Sequence, residues 1–145
     1  MTQTEILEIL KKTGVLLEGH FRLTSGRHSG RYLQCAQVLT YPEYAARIGA
    51  EIASYFAGLD IDVVVGPALG GVIIAYEVAK SLGKRTIFTE REDGKMKLRR
   101  GFSIQPGDKV LVVEDVITTG GSVNEVMEII VGCGGQVAGV GVIVD

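Results

Sequence analysis

The chain predicts an α/β fold: one central, mainly parallel sheet flanked by helices. Three observations carry that expectation. Asp62-Val63-Val64-Val65-Gly66 and Val110-Leu111-Val112-Val113 are short segments built on unbroken runs of Val and Leu, as strands covered on both faces are. Each passes into a Gly-rich turn and then into a segment of helical periodicity. Repeated strand–turn–helix units suit a parallel sheet, because parallel neighbours need a crossover connection between them.

The elements follow in order. Thr2-x-x-Glu5 has the form of a capping box for a first helix with apolar face Ile6, Ile9 and Leu10, stopped at Gly14. Leu16 to Tyr32 is irregular, with short strands expected near Val15–Leu17 and Arg31–Cys35. Pro42 opens a helix whose Tyr44, Ile48, Ile52 and Phe56 share one face. The strand Asp62–Gly66 leads through Pro67-Ala68-Leu69-Gly70-Gly71 to a helix from Val72 to about Leu82. Thr86-Ile87-Phe88-Thr89 is the next strand. Glu90 to Phe102 is expected as a charged loop, with a solvated hairpin guarding a sheet edge as the alternative. After the strand Val110–Val113, a helix begins near Val123 and runs to Gly132, and the last strand is Val140–Val144.

A chain of 145 residues with 46% hydrophobic content is expected to form a single domain with a sizeable core. Its net charge of −2 argues against a general nucleic-acid or membrane-surface binder. No apolar run reaches transmembrane length, and Met1-Thr2-Gln3-Thr4-Glu5 lacks the basic and apolar regions of a secretion leader. Cys35 and Cys133 are too few and too isolated for a disulfide framework or a zinc site. A cytoplasmic protein with reduced thiols is the expectation. Cys133, beside Gly132 and Gly134, is expected as a small core thiol, and His20 as a structural residue.

The chemistry concentrates in three places. First, the strand Val110–Val113 ends on two carboxylates, Glu114 and Asp115, followed by Val116-Ile117-Thr118-Thr119-Gly120-Gly121-Ser122 and a helix. Amides at a helix N-terminus make an anion cradle, and phosphate is the expected anion. Two acids would repel a phosphate, but their oxygens accept from the hydroxyls of a polyol. Phosphate and polyol together describe a sugar phosphate, most simply a ribose 5-phosphate. There is no Gly-x-x-x-x-Gly-Lys-Ser/Thr loop and no Gly-x-Gly-x-x-Gly opening a first βαβ unit. Second, Gly66 to Gly71 also joins a strand to a helix N-terminus, so its amides can take another anion, although turn chemistry alone also explains such a loop. Third, seven of the fifteen Lys and Arg residues fall between Lys84 and Arg100, which suits a polyanion that arrives and leaves.

The segment Val110 to Ser122 resembles the 5-phosphoribosyl-1-diphosphate (PRPP) signature of type I phosphoribosyltransferases. That resemblance implies the type I phosphoribosyltransferase fold, with an N-terminal hood over the parallel sheet. It implies that Glu114 and Asp115 meet the ribose hydroxyls, Asp115 being catalytic, that Val116 and Ile117 belong to the PRPP site, and that Thr118, Thr119, Gly120, Gly121 and Ser122 hold the 5-phosphate. Ala68, Leu69, Gly70 and Gly71 take the place of the family's pyrophosphate loop, with Gly70 standing where many relatives have Lys. The basic segment takes the place of a mobile loop that closes over PRPP and often reaches into a neighbouring subunit. Arg91 matches its phosphate-binding Arg. Lys95 matches its catalytic Lys, with Lys97 a rival, and the His of many relatives' loops is absent. Mg²⁺ is the implied cofactor, bridging substrate oxygens with no direct protein side-chain ligands, and a homodimer the implied assembly.

Gly19 to Tyr32 resembles the hood of orotate phosphoribosyltransferases, with the spacing Phe-x-Leu-x-Ser-Gly-x-x-Ser at Phe21 to Ser29. The resemblance implies orotate as the base, contacted by Ser25 and Thr118, and a product formed in pyrimidine (UMP) biosynthesis. Arg22, Arg27, His28 and Arg31 crowd this turn and suit an anionic pyrimidine, although Thr24 stands where many relatives carry Lys. The domain would divide into a hood of about residues 1–40 and a PRPP-binding core of about 41–145. Relatives of this kind continue past the position of Asp145 with an orotate-contacting Arg, so the C-terminal part is expected to be missing. Two alternatives stay open: a non-catalytic PRPP-sensing module, and a phosphoribosyltransferase for another base.

Overall fold

The computed structural model describes residues 4–5, 16–22, 28–33, 35–116 and 121–144. The apolar face of the predicted first helix (Ile6, Ile9, Leu10), its stop at Gly14, and the predicted site residues Ser25, Ile117, Thr118, Thr119 and Gly120 lie outside them. Two strands near the N-terminus, β1 (Leu16–Arg22) and β2 (His28–Leu33), pair antiparallel in a two-stranded sheet of their own. They are longer and set differently than the short strands expected near Val15–Leu17 and Arg31–Cys35. A helical turn, α1 (Cys35–Val38), leads to α2 (Pro42–Phe56), which begins at the predicted Pro. The remaining elements are β3 (Val63–Pro67), α3 (Val72–Leu82), β4 (Arg85–Glu92), β5 (Lys95–Leu98), β6 (Lys109–Val116), α4 (Gly121–Gly132) and β7 (Gln136–Val144).

The main sheet has the order β5-β4-β3-β6-β7. Strands β4, β3, β6 and β7 run parallel, and β5 pairs antiparallel with β4 at one edge. Alternation along the strands divides the core in two. Val64, Leu111 and Val113 pack with α2 and α3, including Ile48, Ile52, Ile74 and Val78. Val63, Val65, Val110 and Val112 pack on the other side with Val123, Val126 and Ile130 of α4, and with Ile87 and Met96. All seven of these β3 and β6 valines and leucine are fully buried. Each such side chain contributes about 1.5–3 kcal/mol relative to exposure, so two-sided burial explains the unbroken apolar runs.

Three boundaries differ from expectation for identifiable reasons. Strand β7 starts at Gln136, not Val140. Gly139 and Gly141 interrupt its apolar run, and their bare backbones are where Phe56 and Ile52 of α2 press in. Strand β4 continues to Glu92, and the expected charged loop contains β5, so that most of Glu90 to Leu98 is a hairpin. Its two-residue turn is Asp93-Gly94, with φ of 53° and 78°. Positive φ at both positions is the type I′ geometry that an Asp-Gly pair favours, so this signal was present in the sequence. Among the described residues no helix is long and apolar enough to cross a membrane.

Candidate active site

Strand order fixes where a site can form. From β3 the chain moves outward to β4, and it later returns to β3's other side as β6. Beyond the carboxyl ends of β3 and β6 the connections diverge, leaving the crevice in which open α/β sheets bind ligands. The turn 67–71 after β3 opens into it, and β6, parallel to β3, carries Glu114 and Asp115 to the same end of the sheet.

This turn is tightly folded. Gly71 N–H donates to Pro67 O at 2.9 Å, and Ala68 N–H donates to Thr89 O at 2.7 Å. A Cβ on Gly66 would stand 2.3 Å from Gly71 O, so no side chain fits where the turn closes on its own strand. Helix α3 follows with no side-chain cap. The amides of Leu69 and Gly70 have no acceptor among the described residues, which leaves them free for an anion.

Strand β6 is joined to this turn by a carboxylate. A Cβ on Gly70 would lie 2.7 Å from both Asp115 Oδ1 and Oδ2, so this glycine admits the Asp115 head group beside the loop. A Lys here, as the resemblance offers for relatives, would have to displace that carboxylate. Asp115 Oδ1 accepts from Val116 N–H at 2.8 Å, leaving Oδ2 for a ligand hydroxyl. Asp115 is half-buried, whereas Glu114 is only 7% exposed. Strand alternation places the two on opposite faces, Asp115 toward α3 and Glu114 with Val110 and Val112 toward α4.

Their chemistry differs accordingly. Burial first, and the neighbouring Asp115 carboxylate second, push the Glu114 carboxyl up to about 8, although its Oε1 accepts from Asp115 N–H at 3.0 Å. The protonated form of Glu114 is therefore favoured well above the ordinary carboxylate range. A carboxyl raised in the folded state binds protons that the unfolded chain releases. Stability is therefore expected to fall as pH rises from about 4.5 toward 8. Between pH 5.5 and 8.5 the melting temperature of Glu114→Gln should drop by ~5 °C less than that of the wild type. Parallel curves would show that Glu114 does not hold the proton.

The hairpin β4–β5 flanks this site with its charges already paired. Arg91 is held bidentately by Glu125 of α4, with Nη1 to Oε2 at 2.9 Å and Nη2 to Oε1 at 2.8 Å. Lys97 pairs with Glu92 at 3.2 Å, Arg99 with Glu92 at 2.9 Å, and Arg100 with Glu90 at 2.6 Å. Arg100 holds the Glu90 carboxyl below its ordinary range and lies over the Phe88 ring at 5.6 Å. From Arg91 to Arg100, Lys95 is the one cation without a carboxylate partner among the described residues. It stands on the face opposite the buried Met96.

Among the described residues no three His, Cys, Asp or Glu side chains cluster as a metal cage. The Asp115 carboxylate beside a phosphate-type loop nonetheless fits Mg²⁺, which keeps its waters and takes most other oxygens from a substrate. Sequence reasoning missed Glu125. Ser122-x-x-Glu125 reads as a capping box, a local role that hides its partnership with Arg91.

Comparison with known proteins bears on the family. The phosphoribosyl transferase domain matches residues 36–145. Orotate phosphoribosyltransferase of Pelotomaculum thermopropionicum is 63% identical, and that of Desulforamulus reducens 61%, in each case over the whole of this chain and 76% of the relative. The chain thus spans about three quarters of the length of these relatives. The crystal structure of orotate phosphoribosyltransferase from Aeropyrum pernix matches with a TM-score of 0.77 at 25% identity, over 96% of this chain and 92% of that one. With the domain matched over residues 36–145 and more than 60% identity over its whole length, the chain belongs to the orotate phosphoribosyltransferase family of glycosyltransferases.

Proposed function

We propose that this protein transfers the 5-phosphoribosyl group from PRPP to orotate, giving orotidine 5′-phosphate and diphosphate. The observation that carries the reading is the contact between Asp115 and Gly70, which brings a sugar-type carboxylate against an anion-binding turn. A ligand bridging them needs hydroxyls next to a diphosphate, as PRPP has. Substitution at C1 builds positive charge on the ribose ring and negative charge on the departing diphosphate. Asp115 faces the ring and offsets the first. The free amides of Leu69 and Gly70, with Arg91 and Lys95, offset the second. Gly121 and Ser122, with residues 118–120, hold the 5-phosphate, and Ser25 and Thr118 meet the base. Mg²⁺, when bound, neutralises diphosphate charge and fixes its orientation beside Asp115.

Orotate nitrogen is anionic once deprotonated, so the attack needs positioning more than a general base. Closure of the hairpin over the diphosphate excludes water, which otherwise consumes PRPP. A homodimer fits Leu69, Ile73 and Tyr76, which are 88%, 51% and 61% exposed beside the site. A cytoplasmic location fits the thiols and the charge.

The test follows orotate by its ultraviolet absorbance with PRPP and Mg²⁺, with adenine, hypoxanthine and uracil in parallel. Orotate loss that requires both PRPP and Mg²⁺ is the expected result. Turnover of another base would reassign the specificity. PRPP binding by calorimetry without turnover of any base would make the chain a PRPP-binding module.

A further inference from the structure

Glu125 belongs to none of the phosphate, ribose or base contacts described above, yet its carboxylate grips the hairpin. It receives Nη1 and Nη2 of Arg91 from β4. The Met96 backbone N–H of β5 and the Arg91 guanidinium together hold the Glu125 carboxyl below its ordinary range, Arg91 contributing most. Arg91 and Met96 are direct cross-strand partners, so a single side chain of α4 holds one residue of this rung of the ladder. The second N–H of Arg91 Nη1 reaches Gly94 O at 3.2 Å, tying the same guanidinium to the hairpin turn.

A guanidinium has five N–H groups in a fixed fork. Glu125 takes the end-on pair, and Gly94 takes the outer hydrogen of Nη1. What remains is Nε–H and the outer hydrogen of Nη2, which point the same way along the other edge of the plane. Neither has a partner among the described residues. That edge is the second bidentate face of arginine, and it matches two oxygens of a phosphate. Glu125 therefore does not compete with a phosphate for Arg91. It fixes the rotamer of a long side chain whose ordering would otherwise be lost from binding.

We propose that Glu125 is a positioning residue for PRPP, holding Arg91 so that its Nε–Nη2 edge is presented to the diphosphate. The role also couples the hairpin to the helix whose first turn carries Gly121 and Ser122, so both phosphate contacts share one rigid element. The inference rests on the reading of Arg91 as a diphosphate contact. A carboxylate that merely neutralised Arg91 would weaken PRPP binding, and its removal would tighten it. Positioning predicts the opposite sign.

The test is PRPP binding with Mg²⁺ by calorimetry on wild type, Arg91→Ala, Glu125→Ala, Glu125→Gln and the double Arg91→Ala/Glu125→Ala. Glu125→Ala is expected to weaken PRPP about tenfold, with KM for PRPP rising in parallel, kcat falling by less than in Arg91→Ala, and KM for orotate staying near wild type. Glu125→Gln, which keeps the shape if the alanine variant misfolds, should move the same way by less. In the Arg91→Ala background, Glu125→Ala should add nothing. If Arg91→Ala leaves PRPP affinity unchanged, the reading of Arg91 itself fails and the inference falls with it. If Arg91→Ala weakens binding but Glu125→Ala leaves it unchanged or tightens it, Arg91 stands and the positioning role is overturned. An equal loss from Glu125→Ala with and without Arg91 overturns it too, since Glu125 would then act by another route.

Discussion

Asp115→Asn is expected to lower kcat by two to three orders of magnitude while leaving the fold and the melting temperature intact. The asparagine side chain has nearly the same shape, and its carbonyl oxygen can still accept from Val116 N–H as Oδ1 does. Space beside Gly70 is unchanged. What is lost is a full negative charge next to a ring that becomes positive only in the transition state. Removing one such preorganised group typically costs roughly 10²–10³ in rate. Ground-state affinity for PRPP should change less, because a ribose hydroxyl can turn to accept from the new Nδ2 amide where it donated to Oδ2. Stability is expected to hold, since a like charge beside buried Glu114 disappears and that carboxyl moves back toward its ordinary range. The measurement is kcat and KM for PRPP alongside a thermal melt. Turnover within about fivefold of wild type, with an intact melt, would remove Asp115 from the mechanism.

How much of this site could be read in the sequence depends on the range of the interactions. Val63–Val65 and Val110–Val113 were legible because two-sided burial demands apolarity at every position, and the strands appear where the runs are. The α2 face and the α3 boundaries followed from period and from Pro42 and Gly83, each a local signal. Strand β7 was half hidden. Gly139 and Gly141 lower its strand propensity, and only the arrival of Phe56 and Ile52 from α2 explains them. In the hairpin, charge outweighed the Asp93-Gly94 turn signal, although a run of alternating acids and bases suits an edge strand whose cations pair across the rungs.

The site divides the same way. Glu114 and Asp115 were evident as a pair, but nothing local separates their roles. The period of two sends one to each face, and the depth of burial pushes the Glu114 carboxyl up. Gly70 looked like a departure from the family pattern. In the fold it is the residue that lets Asp115 approach the loop. Arg91–Glu125 spans thirty-four positions of sequence, and no spacing rule reaches that far.

The hairpin lysines give the second large effect. Lys95→Ala is expected to reduce kcat about a hundredfold, whereas Lys97→Ala should stay within about threefold of wild type. Sequence position hardly distinguishes two lysines separated by one residue, and both lie on the same face of β5. Their partners do. Lys97 Nζ is 3.2 Å from Glu92 Oε1, an exposed pair of the kind worth little to stability and already committed to holding the hairpin. Lys95 has no carboxylate partner among the described residues, and it follows directly on the Asp93-Gly94 turn, the part of the hairpin farthest from the sheet. A free cation at the tip of a closing element meets the diphosphate only when the element closes. Its interaction therefore strengthens as charge develops on the leaving group, and its loss should appear in kcat more than in KM. Lys95→Arg, which keeps the charge but spreads it over a planar fork, should recover part of the rate. Steady-state kinetics of the three variants settle the assignment. A rate loss confined to Lys97→Ala would give the role to Lys97, and unchanged rates in all three would leave the diphosphate to Arg91 and the loop amides.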